Sequence, residues 1–407
     1  MSAVTWGQFD GAEAKTCTRA DLVNPAYFIE PGDFLFSRAN TIDLVGACVI
    51  ARSTSTPLML SDKILRLRFV RGLEHWVLMY LRSRGGRAEI ERLATGNQDS
   101  MRNIGQERIR QICIPIAPIP EQRRIVEALE THLTRLDAAV ATLERVRANL
   151  GRCRASVLQS AVEGRLMGGA SWPTTTLGEV LASPLCHGKS VTTRDGGFPV
   201  LRLTAIRRGI IDLSERKGGD WTRDDAHTVL VEPGDFLVAR GNGSIRLVGR
   251  GGLAPDQRDE VAFPDTMIRV RVREASILPR FLRLVWDAPS VRRQIETMAK
   301  TTAGIHKINQ KDMRSVVIPI PSATDQAATV VEAERQLSVI DVTDTAVGAQ
   351  LMRITRLRQS LLRLAFSGRL VPQDPRDEPA SVLLDRIRAE RAATAATPKH
   401  KSARSRR

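Results

Sequence analysis

A chain of 407 residues is too long for one hydrophobic core and implies roughly two to four domains. Its composition, 42% hydrophobic and 26% charged, is that of a soluble globular protein, and 61 Lys and Arg against 45 Asp and Glu leave a net charge of +16. An excess of that size points to an extended polyanionic partner, because each neutralised phosphate releases counterions. There is no apolar run of membrane-spanning length and no basic-plus-apolar leader. The five cysteines (Cys17, Cys48, Cys113, Cys153, Cys186) are scattered, with no C-x-x-C pair and no histidine cluster beside them. These features argue against a membrane span, a secretion signal, a disulfide framework and a zinc site, and fit a reducing cytoplasm.

In chain order, the first distinctive phrase is IEPGDFLFSRAN at Ile29–Asn40, a Pro-Gly-Asp turn entering a short strand. A second strand is expected over Lys63–Phe69, followed by a polar loop, Gly96-Asn97-Gln98-Asp99-Ser100-Met101-Arg102. After Pro118 and Pro120 the character changes. Residues 121–163 contain no proline, and apolar residues fall at Leu129, Leu133, Leu136, Val140, Leu143 and Leu150 in alternating steps of four and three, with one miss at Arg147. That is a heptad seam, the pattern of a helix packing lengthwise on another helix. At 1.5 Å per residue it runs roughly 65 Å, and Gly164 stands where a helix C-cap belongs.

The chain then repeats itself. Val231–Asn242 reads VEPGDFLVARGN, identical at eight of twelve positions to the phrase 202 residues earlier. Strands are expected over Asp235–Ala239 and Met267–Val272, helices over Pro279–Asp287 and Pro289–Met298, and a loop over Thr301–Lys307. Ile114-Pro115-Ile116 returns as Ile318-Pro319-Ile320 at an offset of 204. From there the register holds without a gap to Gly164-Arg165-Leu166 and Gly368-Arg369-Leu370. The second seam is Leu337, Ile340, Asp344, Val347, Leu351 and Ile354. The fold class is therefore α+β: a tandem duplication of a mixed α/β domain followed by a long helix, with the two helices pairing as an antiparallel coiled coil. The charged seam positions Arg147 and Asp344 then meet as an inward ion pair that fixes register, or each snorkels to solvent.

Ile114–Leu166 closely resembles the conserved helical region of type I restriction–modification specificity subunits, as does Ser360–Ala392, and the PGDFL…R-x-N phrase is similar to one in their target-recognition domains. The resemblance implies target-recognition domains over 1–117 and 172–321, conserved helical spacers over 118–168 and 322–372, a C-terminal helical segment over 373–394 and a basic disordered tail over 395–407. It also implies a function. Each recognition domain reads one half of a split, asymmetric sequence in double-stranded DNA, and the helices set the spacing and dock two methyltransferase subunits. Two restriction subunits, which are motor–nucleases, complete the complex. The chain itself is then no enzyme and holds no cofactor. S-adenosylmethionine, ATP and Mg belong to the partner subunits, and the complex is an adenine methyltransferase and ATP-dependent endonuclease. One departure stands out. The 59 residues from Trp172 to Val231 face only 28 from Met1 to Ile29, so a piece corresponding to Trp172–Arg202 lacks a first-unit counterpart; the expectation is that the true start lies upstream or that the first domain is cut.

Duplication also sorts candidate DNA contacts, since domains that read different sequences share scaffold and phosphate contacts and differ at base edges. Arg38/Arg240 and Asn40/Asn242 are shared, and suit phosphate anchoring or a fixed loop geometry. Base readers are expected in the unshared loops: Asn97, Gln98 and Arg102 in the first unit, His306 and Lys307 in the second, and Lys189 in His187-Gly188-Lys189-Ser190. The basic tail, with Lys399, Lys401, Arg404, Arg406 and Arg407, adds weak nonspecific affinity.

Two other function classes fit parts of the sequence. A stand-alone DNA methyltransferase is suggested by Asn24-Pro25-Ala26-Tyr27, which is similar to the Asn-Pro-Pro-Tyr box of adenine methyltransferases. The third position is alanine, however, and no Gly-rich cofactor loop or G-x-x-x-x-G-K-[ST] accompanies it. A helical scaffold whose globular domains bind protein is the other; it lacks salt-dependent affinity for duplex DNA.

Overall fold

The phrase that the chain writes twice is a structural device. In a computed structural model, Gly32 (φ +92°) and Gly234 (φ +82°) take the left-handed conformation that glycine alone adopts freely. The carboxylate that follows closes each turn: Asp33 accepts from Glu30 N–H at 2.8 Å and Asp235 from Glu232 N–H at 2.9 Å. Each carboxylate also meets an arginine in or just past a neighbouring strand, Arg66 at 2.8 Å and Arg271 at 2.5 Å. The strands that follow each turn are buried at every position.

The structure describes residues 3–7, 9–52, 56–69, 72–169, 172–256, 259–302 and 304–396. It forms two compact units, Met1–Leu143 with Ala349–Arg407, and Glu144–Gly348. The basic tail lies outside the described residues.

The chain enters the first unit through strands β1 (Phe34–Ser37), β2 (Ala39–Asn40), β3 (Cys48–Ile50) and β4 (Ile64–Leu67). Helices α1 (Glu74–Arg82) and α2 (Arg84–Leu93), strands β5 (Thr95–Gln98) and β6 (Met101–Asn103), and the single turn α3 (Gln106–Ile109) follow. The sheet runs β3-β1-β4, antiparallel, with Phe34 opposite both Ile50 and Leu67. Phe34, Phe36, Cys48, Val77, Leu81 and Ile90 fill the space between sheet and helices.

After the long helix α4 (Ile119–Val162), the second unit adds strands before its repeat of this pattern: β7 (Thr174–Thr176), β8 (Cys186–His187), β9 (Thr193–Leu201), β10 (Ile206–Arg207), β11 (Ile210–Ile211) and β12 (Arg216–Gly219), then the short α5 (Arg223–Ala226). The repeated portion comprises β13 (Phe236–Ala239), β14 (Gly241–Asn242), β15 (Gly251–Leu253), β16 (Met267–Val270), α6 (Pro279–Trp286), α7 (Pro289–Met298), β17 (Lys300–Thr302), β18 (Ile305–Lys307), α8 (Gln310–Arg314) and β19 (Val317–Pro319). At its centre Phe236 faces Leu253 and Val270, as Phe34 faces Ile50 and Leu67 in the first unit. Here the sheet has six strands, β10-β11-β15-β13-β16-β8, against three among the described residues of the first.

Two further helices complete the chain, α9 (Ala323–Phe366) and α10 (Ala380–Ala396). Gly164 (φ +75°) and Gly368 (φ +66°) end α4 and α9 in left-handed caps. In the first unit Ile125 and Leu129 of α4 are buried against Leu362 and Ala365 of α9 and against Trp76, while Ile387 of α10 packs on the sheet core. Arg358 pairs with Asp137 there, and Arg154 with Asp341 in the second unit. Those two ion pairs are the same pair in successive repeats, each residue displaced by 204.

In the second unit the helical segments run antiparallel, since Arg147 pairs with Asp344 and Arg154 with Asp341. The Arg147–Asp344 ion pair forms at 3.0 Å, with Asp344 19% exposed at the seam and Arg147, 57% exposed, reaching it from the rim. Val146 takes the half-buried place between Leu143 and Leu150. Of the other seam positions, Leu129 and Val347 are buried; Leu133, Leu136, Val140, Leu337, Ile340 and Leu351 are half-buried. No helix among the described residues is long and apolar enough to cross a membrane.

Candidate nucleic-acid interface

The stretches Gly96–Arg102 and Thr301–Lys307, expected as loops, are β-hairpins. Polar, solvent-facing strands of three or four residues carry no apolar alternation, which is why the sequence pattern did not reveal them. In the first unit the hairpin β5-β6 extends β2 into a three-stranded ribbon, with Ala39 opposite Asn103 and Asn40 opposite Arg102. In the second unit β17-β18 extends β14 in the same way, with Gly241 opposite Lys307 and Asn242 opposite His306. The shared strand therefore carries its Arg-x-Asn end directly beside the divergent hairpin in both units.

Local chemistry divides these residues. Asn242 accepts from Ser244 N–H at 3.1 Å and Asn40 from Thr41 N–H at 2.9 Å, so both side chains shape the exit from their strand. Neither asparagine is in the left-handed conformation, which among non-glycine residues is found at Arg208 (φ +49°). Arg38 reaches Asn103 Oδ1 at 3.4 Å and buries an Nε that has no partner. Arg102 donates to the Gly96 carbonyl at 2.6 Å and likewise buries an unpartnered Nε. Gly96 (φ +118°) lies so close to the Met101 carbonyl that a Cβ would sit 2.6 Å from it, which fixes glycine at that point.

In the second unit Thr301 Oγ1 and His306 Nδ1 are 2.9 Å apart across the hairpin, holding the imidazole in one orientation. Lys307 and Gln98 are exposed, and the side chain of Asn97 lies outside the described residues. Asn103 and Thr301 had no place among the sequence-derived candidates; a polar residue opposite a candidate reader becomes visible only once the hairpin register is known.

Lys189 is not on the ribbon. It follows β8, bridges to Pro264 through its backbone and donates from Nζ to the Asp225 carbonyl at 2.9 Å. Its neighbour His187 lies close enough to Arg240 to feel that charge; burial first, and Arg240 second, push the imidazole below its usual range. Asn24-Pro25-Ala26-Tyr27 is an exposed single turn in which Asn24 accepts from Ala26 N–H at 3.0 Å, a cap and not a base pocket. Among the described residues no group of three or more His, Cys, Asp or Glu is placed to hold a metal.

No protein-family model matches the chain. It is 31% identical over 328 residues to the EcoKI type I restriction enzyme specificity subunit of Escherichia coli strain K12, covering 76% of this chain and 70% of that protein. It is 29% identical over 335 residues to the StySPI specificity subunit of Salmonella potsdam, covering 78% and 72%. Among solved structures, a chain from a type I R-M system studied for its complex assembly and conformational transition matches with a TM-score of 0.65 at 18% identity, over 84% of this chain and 83% of that one. That likeness is one of fold.

Proposed function

The chain belongs to the type I restriction enzyme specificity subunits, and from that premise we propose that each unit reads one half of a bipartite, asymmetric sequence in double-stranded DNA. One observation carries the proposal. Both units bring the shared Arg-x-Asn strand end alongside a hairpin whose residues differ, Asn97, Gln98 and Arg102 in one and His306 and Lys307 in the other. A common anchor beside a variable reader is what two domains need to hold the same backbone and read different bases.

Arg38 and Arg240 anchor phosphates, Asn40 and Asn242 set the geometry, and the hairpin side chains meet base edges, with Lys189 contributing a contact from outside the ribbon. In this reading the target-recognition domains are 1–117 and 172–321, and the helical spacers 118–168 and 322–372 fix the distance between half-sites. The spacers dock two methyltransferase subunits. Val331, Val339 and Val342, strongly exposed on α9 in the second unit, support a docking face there. Restriction subunits complete the assembly, and S-adenosylmethionine, ATP and Mg act on those partners. A specificity subunit is a non-catalytic component, and the alternative of a protein-binding scaffold is not favoured.

The test is to co-express the chain with its cognate methyltransferase and map adenine methylation across a genome by single-molecule sequencing. A two-part, asymmetric motif is expected. A palindromic or one-part motif would sink the assignment of one half-site to each unit.

A further inference from the structure

The strongest unexplained concentration of charge lies in the second unit, away from the ribbon. A cavity of about 390 Å³ is walled by α4, the β10–β11 turn, the segment entering β15 and the ends of α6 and α7. Five arginines line it, Arg154, Arg208, Arg246, Arg250 and Arg292, against one carboxylate, Asp287. Two of the five are committed elsewhere: Arg154 to Asp341, and Arg208 to Asp341 at 2.8 Å and Asp344 at 2.9 Å.

Of the other three, Arg292 meets Glu296 at 3.6 Å through the nitrogen that faces away from its open one, while among the described residues Arg246 and Arg250 make no side-chain hydrogen bond or ion pair. Arg292 donates one nitrogen to the Val248 carbonyl at 2.7 Å and buries the other, Nη1, without a partner. Asp287 feels Arg292, Arg250, Arg154 and Arg283 but forms no direct ion pair with any of them, and its burial raises its affinity for a proton. Like charges gathered at a concave, partly desolvated wall need an anion to stabilise them.

The first unit provides an internal comparison. Arg87 repeats Arg292, donating to the Val45 carbonyl at 2.5 Å as Arg292 does to Val248. There Trp6 covers the guanidinium, whose carbon lies 4.8 Å from the ring centroid. The position of Asp287 is held by Arg82, which is bonded to the Gly7 and Cys48 carbonyls at 2.5 and 3.1 Å. Both arginines also meet a glutamate one turn on, Glu91 and Glu296. The units therefore differ in what covers the guanidinium: Trp6 in the first, and in the second a cavity onto which the unpartnered Nη1 of Arg292 is left.

We propose that this cavity is a phosphate-binding site, in which Arg246, Arg250 and the open nitrogen of Arg292 receive the oxygens of a phosphate group. Guanidinium groups suit that ligand because their planar forks match its geometry in pairs, and the volume accommodates a phosphate with an organic substituent. The phosphate is supplied either by a small molecule or by a DNA backbone. The site does not depend on sequence reading by the ribbon, whose residues line none of it.

The test titrates inorganic pyrophosphate, and separately a 20-base-pair duplex lacking any target, into the full-length chain at low salt. Wild type is compared with Arg246→Gln, Arg250→Gln and Asp287→Asn. Binding of pyrophosphate at one equivalent, weakened about tenfold by each arginine change, establishes the site with a small-molecule source. No pyrophosphate binding, but a duplex affinity that falls in both arginine variants with a shallower salt dependence, establishes it with the DNA backbone as source. Asp287→Asn removes the one carboxylate lining the cavity and is expected to strengthen whichever ligand binds, an outcome that a merely loosened fold does not produce. Unchanged affinity for both ligands in both arginine variants overturns the proposal, as does binding weakened by Asp287→Asn with its melting curve intact.

Discussion

In the proposed reading His306 is a side chain that meets a base edge, and its surroundings make it the sharpest single-residue test. It lies opposite the shared Asn242 and is steadied by Thr301, which fixes the attitude of its ring. Replacing it with alanine should remove about 1–3 kcal/mol of discrimination at the base it contacts. The methylation map should then show one position of one half-site relaxed and the other half-site intact. An unchanged motif would remove His306 from the readers. Asp287 allows a second prediction at this scale. Its folded-state proton affinity is raised above the usual value of 3.8 by burial, so the folded chain binds the proton more tightly than the unfolded chain. The contribution is therefore full below 3.8 and is lost as pH rises through the folded value. Asp287→Asn should flatten that part of the pH–stability profile, read as melting temperature against pH; a slope identical to wild type would contradict it.

Between elements, the apolar interlock stabilises more than the ion pairs that decorate it. Leu129 is fully buried with Ile125, Trp76, Leu362 and Ala365, so Leu129→Ala should cost about 2–5 kcal/mol in urea unfolding. Arg358→Ala, which removes an exposed pair with Asp137, should cost roughly 1 kcal/mol or less. The reverse order would mean that charge, not packing, holds the helices. This is also the scale at which the sequence was most legible. Heptad spacing announced both long helices, and the glycines marked their ends, because burial along a helix repeats with a period that residues must obey. The same spacing put Arg147 on the seam, whereas the steps from Leu143 to Val146 to Leu150 carry it past. The hairpins went unread because their side chains face solvent and record no burial. The Pro-Gly-Asp phrase was legible as a turn, but its partners Arg66 and Arg271 lie more than thirty residues away, a pairing that only the sheet register supplies.

For the whole molecule, the net charge of +16 acquires meaning through where its arginines are left free. Many surface arginines pair with a neighbouring carboxylate, as Arg194 does with Asp220 and Arg223 with Glu260, and those are already committed to the fold. Arg240 is different, with no side-chain hydrogen bond or ion pair among the described residues. Arg38 is held only by the long contact to Asn103. If these two equivalent residues anchor phosphates, each contributes a released counterion, and log affinity for duplex DNA falls with log salt by about 0.9 per contact. The double variant Arg38→Ala, Arg240→Ala should therefore bind target and nontarget duplexes more weakly to a similar degree, with a salt slope shallower by about 2. Asn40→Ala and Asn242→Ala should act differently. They release the turns that aim the ribbons, so they should lower the preference for target over nontarget while leaving the slope unchanged. Fluorescence anisotropy across a salt series distinguishes the two classes. An unaltered slope in the arginine variant would assign Arg38 and Arg240 to the fold and leave phosphate anchoring to other residues.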